Sequence, residues 1–145
     1  MAHYSYSFNN ITCIIGGITV EGWSEDATSI AISYIDDQIN QVVGSDGGST
    51  TSLIKNYQAN ITLNLRYGSP TNALLSNILI GYKSGIVTPT PLYIKDNGGS
   101  NLHTAPHVSI VKHPDTNFGA NAQTITWELR TPELITYIGG GAQLA

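Results

Sequence analysis

Apolar and polar residues alternate with period two along most of the chain, the mark of strands that bury one face. The cleanest run predicts a strand over 59–67, with Ala59, Ile61, Leu63, Leu65 and Tyr67 on one face and Asn60, Thr62, Asn64 and Arg66 on the other. A one-residue slip would expose every apolar side chain of that strand, so its register is firmly specified. Ile125, Trp127 and Leu129, set against Thr124, Thr126, Glu128 and Arg130, repeat the pattern near the end of the chain. Tyr4, Tyr6 and Phe8 share one face of an opening strand. The apolar phase then moves to Ile11, Cys13 and Ile15, which predicts a bulge or bend near Asn9-Asn10. Gly16-Gly17 makes a turn into a short strand with Ile18 and Val20 on one face, closed by Gly22-Trp23. Ile30, Ile32 and Tyr34 share a face of the next strand. Shorter strands are expected at 92–95 and 107–112, joined through the turn residues Asn97-Gly98-Gly99.

The pattern predicts one helix, over 70–84. Ser69 can cap it, Pro70 suits its first position and Gly85 can end it in a left-handed conformation. Leu74, Leu75, Ile78, Leu79 and Tyr82 form an apolar stripe at spacings of three and four, which should pack against a sheet. Strands with one packed helix predict a mainly β single domain over 1–145, an antiparallel barrel or sandwich.

Between Asp36 and Asn56 the alternation weakens. Gly44-Ser45-Asp46-Gly47-Gly48-Ser49-Thr50-Thr51 is too polar and glycine-rich to hold a core, and the flanking Ile39, Val42 and Val43 have no obvious local partner. Such a protruding arm is either a mobile loop or a segment ordered against a neighbour. Gly139-Gly140-Gly141 and the residues after it read as a flexible tail, and Thr88-Pro89-Thr90-Pro91 as a stiff extended connector.

Composition sharpens the picture. At 145 residues the chain is large enough for one real core. Charged residues make up 11%, against about 25% in ordinary soluble domains. Their scarcity suggests a surface that meets protein, as at the centre of an interface; a neutral secreted β domain is the alternative. The net charge is −4. Lys55, Arg66, Lys83, Lys95, Lys112 and Arg130 form no patch, which argues against tight nucleic-acid binding. Met1 to Tyr6 has neither the basic patch nor the apolar run of a signal peptide, no segment has the length to span a bilayer, and Cys13 is the single cysteine. A soluble product of a reducing compartment, with no membrane partner, is the expectation.

Chemistry is sparse. Gly44–Thr50 lacks the lysine and following helix of a phosphate loop, and the regular acidic ligands of a calcium loop. His103 and His107 would lie about 13 Å apart on an extended strand, although a bend at Pro106 could bring them nearer for a metal. Polar surface histidines, with His3 and His113, are the simpler reading. Cys13 reads as a small core residue. The adjacent pairs Glu25-Asp26 and Asp36-Asp37 point to opposite faces of a strand and make poor acid/base partners. The Asn10-Ile11-Thr12 and Asn60-Ile61-Thr62 sequons carry no weight without a secretory signal. No nucleophile–base pair suggests a hydrolase, and no cofactor is implied. A carbohydrate-binding β module, stacking sugars on Trp23, Trp127 and the tyrosines, is a competing reading. It is weakened by the inward phase of Trp127 and the isolation of Trp23.

Several segments, in this order and spacing, resemble the tail-tube family of contractile-tailed bacteriophages over nearly the whole chain. They are Tyr6-Ser7-Phe8-Asn9-Asn10-Ile11-Thr12-Cys13 with Gly16-Gly17, Gly44-Ser45-Asp46-Gly47, Ala59-Asn60-Ile61-Thr62-Leu63-Asn64-Leu65, Ser69-Pro70-Thr71-Asn72-Ala73-Leu74-Leu75, and Val111-Lys112-His113-Pro114 followed by Ile125-Thr126-Trp127-Glu128-Leu129. The resemblance implies a non-enzymatic subunit of hexameric rings stacked into a hollow tube. Inner sheets would join around a bore that passes DNA without binding it specifically. Sheath, baseplate and tape-measure proteins are the implied partners, the virion tail the implied location, and the host cytoplasm the site of assembly. A tailocin or secretion tube, or a baseplate paralogue, would share the fold. On this reading Asp36, Asp37, Ile39, Val42, Val43, Gly44, Asp46, Gly47, Gly48 and Thr50 make the contacts between subunits and rings. The helix lies on the outer side, and Asp36, Asp37 and Glu128 are candidates to face the lumen.

Overall fold

A computed structural model describes residues 3–25, 28–87, 89–139 and 142–144. In chain order the elements are β1 (His3–Ser5), a 3-10 turn (Phe8–Asn10), β2 (Ile11–Ile15), β3 (Ile18–Thr19), β4 (Ile30–Tyr34), β5 (Ile39–Val43), β6 (Ser49–Leu53) and β7 (Ala59–Leu65). There follow α1 (Thr71–Lys83), β8 (Leu92–Asp96), β9 (Leu102–Ala105), β10 (Ser109–Ile110), β11 (Ile125–Thr131), β12 (Ile135–Tyr137) and β13 (Ala142–Leu144).

Two antiparallel sheets face each other. One has the order β10-β11-β7-β4, the other β12-β9-β8-β2-β3. Strict alternation decides which residues meet between them. Ala59, Ile61, Leu63 and Leu65 of β7 are buried beside Ile125, Trp127 and Leu129 of β11, in the register Leu63 to Trp127 and Ile61 to Leu129. Cys13, Ile15, Leu92, Ile94 and Ala105 close the core from the other sheet. Burial pushes the Cys13 thiol up to about 12, as expected of a small core residue far from solvent.

The helix closes the β10 side. Leu75 is buried, Ile78, Leu79 and Tyr82 pack on the core, and Leu74 lies at the exposed margin of the stripe. Pro70 occupies the cap position, and the Ser69 hydroxyl accepts a hydrogen bond from the Thr71 N–H at 3.3 Å. Gly85 ends the helix at φ 76, a conformation that only glycine adopts freely. Trp127 is anchored to this helix: its Nε1–H donates to Asn72 Oδ1 at 2.9 Å.

Several expectations are corrected. The central strand stops at Leu65; Tyr67 lies beyond it, exposed, with its ring edge-on to Phe118. Ile18 and Val20 do share a face, opposite Ile15 and Cys13, since the Val20 N–H still donates to Cys13 O at 2.8 Å; only Val20 is buried, and Ile18, beside the turn, is left exposed. The opening strand is only His3–Ser5, and the expected bend is the 3-10 turn, capped by Ser7 Oγ. Asn97-Gly98-Gly99 joins β8 to β9 rather than to 107–112, so 107–112 keeps only the short β10. Ala142–Leu144 is paired to His3–Ser5 instead of hanging free. Of that tail Gly140, Gly141 and Ala145, and elsewhere Asp26 and Thr88, lie outside the described residues.

Candidate assembly surface

The arm is a regular hairpin. β5 and β6 pair from Ile39–Leu53 to Val43–Ser49. Its tip is tied by Gly44 N–H to Gly48 O, Gly47 N–H to Gly44 O, and Gly48 N–H to Asp46 Oδ1. Every residue from Gln38 to Leu53 is exposed, including Ile39, Val42, Val43 and Leu53, the last two at 70% and 73%. The expected ordering against a neighbour is therefore not needed to form the hairpin, whose apolar side chains nonetheless remain in solvent.

Its base is a deliberate irregularity. Paired residue numbers sum to 93 along β4 and β7 but to 92 along β5 and β6, so one extra residue sits on the β6–β7 side. This is the signature of a bulge, which bends and twists a hairpin. Asn56 bridges it: its Nδ2–H donates to Asp36 Oδ2, while its Oδ1 accepts from the Gln58 N–H. Below the bulge, Tyr57 bridges to Glu133, and the Leu134 N–H donates to Tyr57 O at 3.0 Å, holding the root of the arm to the body.

The two sheets differ on their outer faces. That of the four-stranded sheet is polar and almost uncharged: Ala31 and Ser33, then Asn60, Thr62 and Asn64, then Thr126, Glu128 and Arg130. Thr126 Oγ1–H donates to Asn64 Oδ1 at 2.8 Å and Arg130 Nε–H to Asn60 Oδ1 at 3.0 Å. Glu128 lies mid-sheet, opposite Thr62, which is itself opposite Ala31. Asp36 and Asp37 lie past the end of β4, at the arm base. The three carboxylates are all exposed, but the fold does not gather them. The five-stranded sheet instead shows Tyr93, Ile135 and Tyr137 outward.

The two edges of the four-stranded sheet also differ. At β10, the Ile110 N–H, which points away from β11, donates to the Tyr82 hydroxyl of the helix. At β4, the bonds of Asn64 N–H to Ser29 O and Ile35 N–H to Gln58 O place residues 29, 31, 33 and 35 in the hydrogen-bonded pairs with β7. The N–H and C=O groups of Ile30, Ile32 and Tyr34 therefore point outward, and among the described residues no strand pairs with them. Beside this edge the sandwich is open. A groove of about 560 Å³ runs between Ile30 and Ile32 on one side and Ile11 and Ile94 on the other, with Phe8 also lining it.

The remaining candidates have structural roles. His107 Nδ1 accepts the Thr90 N–H at 3.2 Å, and His103 Nδ1 lies 3.0 Å from Thr136 Oγ1, so the bend at Pro106 does not turn both toward one ion. Among the described residues no group of three or more His, Cys, Asp or Glu could hold a metal. Trp23 is not isolated: its ring meets Phe8 edge-on at 5.6 Å and packs on the core. Among the described residues no helix is long and apolar enough to cross a membrane.

The chain matches the model of the Bacteriophage PhiTE tail tube protein family over residues 1–139. It belongs to that family. Tail tube proteins are structural parts of the phage tail, not enzymes. The fold recurs in solved structures of contractile systems. The anti-feeding prophage cap (AFP tube terminating cap) superposes with a TM-score of 0.65 at 11% identity, covering 94% of this tail tube protein and 93% of that chain. The sheath/tube terminator of the extracellular contractile injection system PVC, in its extended state, gives 0.62 at 12%, covering 94% and 99%. A chain of the PVC sheath-tube complex, also extended, gives 0.63 at 14%, covering 92% of each. At these identities the likeness is one of fold. A comparison with curated proteins found no match.

Proposed function

We propose that this tail tube protein forms hexameric rings that stack into a hollow conduit for DNA. The arm over 36–56 provides contacts between subunits and rings. The observation that carries this reading is the exposed hairpin with Ile39, Val42, Val43 and Leu53 in solvent. A monomer gains nothing from such an arm, whereas a neighbouring copy can bury it. The polar, nearly uncharged outer face of β4, β7 and β11 suits a bore: it hydrates well and offers no cluster of cations to hold phosphates. Glu128 lies on that face, and Asp36 and Asp37 flank it at the arm root. The Pro70–Ser84 region then lies toward the outside, where a sheath would pass.

Heterologous stacking of one ring on the next builds an open filament. The partners this implies are further copies, sheath and baseplate proteins, and a tape-measure protein and DNA in the lumen. Assembly takes place in the host cytoplasm. A second reading is favoured by the fold of a tube-terminating cap and a sheath/tube terminator being as similar as that of the sheath-tube chain. On that reading the protein makes a single ring that ends a tube. Negative-stain microscopy of the purified protein separates these: long tubes support the leading proposal, isolated rings the second, and a strictly monomeric species at high concentration overturns both.

A further inference from the structure

The backbone of the arm has a free edge that matches the free edge of β4. In the arm, the bonds of Ile54 N–H to Gln38 O and Gly44 N–H to Gly48 O make 38/54 and 44/48 hydrogen-bonded pairs, and with them 40/52 and 42/50. Ser49, Thr51 and Leu53 of β6 therefore turn their N–H and C=O groups outward. They do so on the side of the hairpin opposite to β4. Among the described residues β4 and β6 thus present complementary, unfilled edges of equal length, three outward residues each, while the outward edge of β5 lies on the same side as that of β4.

Resting on the tail-tube reading, we infer that β6 of one copy adds to β4 of the next as an antiparallel strand, with Thr51 opposite Ile32, Leu53 opposite Ile30 and Ser49 opposite Tyr34. Copies related by rotation keep β6 running with β7, and β7 is antiparallel to β4, so the direction follows. Side-chain parity supports the register. Directly opposed residues of an antiparallel pair project to the same face. Leu53, with Ile39 and Val43 on its own face of the hairpin, then joins Ile30, Ile32 and Tyr34 on the core side and fills the groove over Ile11 and Ile94. The other face of the arm, Asn40, Thr50 and Ser52 with Val42, continues the polar surface of Ala31, Ser33, Asn60 and Thr62.

Charge agrees with this occupant. From Gln38 to Ile54 the only ionisable side chain is Asp46, at the tip. Of the groove's own ionisable groups, Asp96 is buried and accepts the Gly98 N–H, and His103, whose Nδ1 lies 3.0 Å from Thr136 Oγ1, is favoured in its neutral form by burial. No bare charge has to lose water when the two meet. A five-residue edge alone buries too little for a stable interface, which needs about 800 Å² per partner. The apolar face entering the groove supplies the rest, as in other strand-addition contacts. Pairing of β4 with β5 instead would be reciprocal and would close a dimer.

The test compares full-length wild type with Thr51→Pro, which removes an outward N–H without touching a hydrogen bond inside the hairpin. The expected result is wild-type rings or tubes, and a variant with unchanged circular dichroism and thermal midpoint that sediments as a monomer. Tubes from Thr51→Pro overturn the strand addition, while absence of any assembly by the wild type overturns the tail-tube reading itself. Where Thr51→Pro misfolds, Ile30→Cys with Leu53→Cys decides. Oxidised assemblies should yield a ladder of covalent multimers on denaturing gels. Tubes without that ladder, or a product that stops at dimer, overturn the register.

Discussion

Asn56 donates a hydrogen bond from Nδ2 to the Asp36 carboxylate across the root of the arm, and the same side chain accepts the Gln58 N–H. These contacts span the one-residue bulge at which the body hairpin, β4 with β7, becomes the projecting hairpin, β5 with β6. The direction in which Ile39, Val43 and Leu53 are presented depends on them. Asn56→Ala should leave global stability within about 1 kcal/mol of wild type, since an exposed hydrogen bond contributes little net. It should speed amide exchange over 36–43 and 49–58 and lower tube yield. Hydrogen exchange with sedimentation measures both, and unchanged exchange would remove the bridge from the account.

Deleting 44–51 should abolish tube growth and spare the body of the protein, because every residue from Gly44 to Thr51 is exposed and contributes nothing to the core. The circular dichroism spectrum and denaturation midpoint should stay near wild type while electron micrographs lose their tubes. Normal polymerisation of the deletion would exclude the arm tip as a contact.

Trp127 is 1% exposed, with its indole N–H satisfied by Asn72. Trp127→Ala should cost about 3–5 kcal/mol, as removal of a large buried aromatic does. Asn72→Ala leaves the N–H unpaired and should cost about 1–3 kcal/mol. Urea denaturation followed by circular dichroism gives both values, and a neutral Asn72→Ala would show that water replaces the amide.

Leu75→Asp places a carboxylate where the helix meets the core, at a side chain 2% exposed. Among the described residues no Lys, Arg or His is fully buried in the core, so burial of the charge is uncompensated. The variant should be insoluble or unfolded, whereas Ile80→Asp, on the exposed side of the same helix, should fold. A folded Leu75→Asp protein would mean the helix can lift off the sheet.

Burial lowers the pKa of His103, whose ring contacts Thr136 Oγ1. The neutral ring is therefore favoured in the fold, and the unfolded chain takes up the proton first as pH falls. The stability gained is present above the unfolded value of about 6.5 and is lost as pH falls through the lower folded value. The urea midpoint should drop between pH 7.5 and 5.0, and His103→Gln should flatten that slope. Equal slopes would assign the acid sensitivity elsewhere.

Alternation alone located the two long strands, from Ala59 and around Trp127, the inward phase of Trp127, and the helix with its Gly85 terminus, because period and stop signals are local properties of the chain. It also located the arm, as a place where no core pattern persists. Tertiary structure decided what depends on distant partners. The β9 strand exists because β8 offers it a neighbour, and Tyr67 lies outside because β11 ends opposite Leu65. Trp23 gains its companion from Phe8. Most consequential, hydrogen-bond parity is shared between paired strands, so only the assembled sheet reveals that β4 and β6 leave their backbones unpaired on opposite sides. No single strand's residues carry that information.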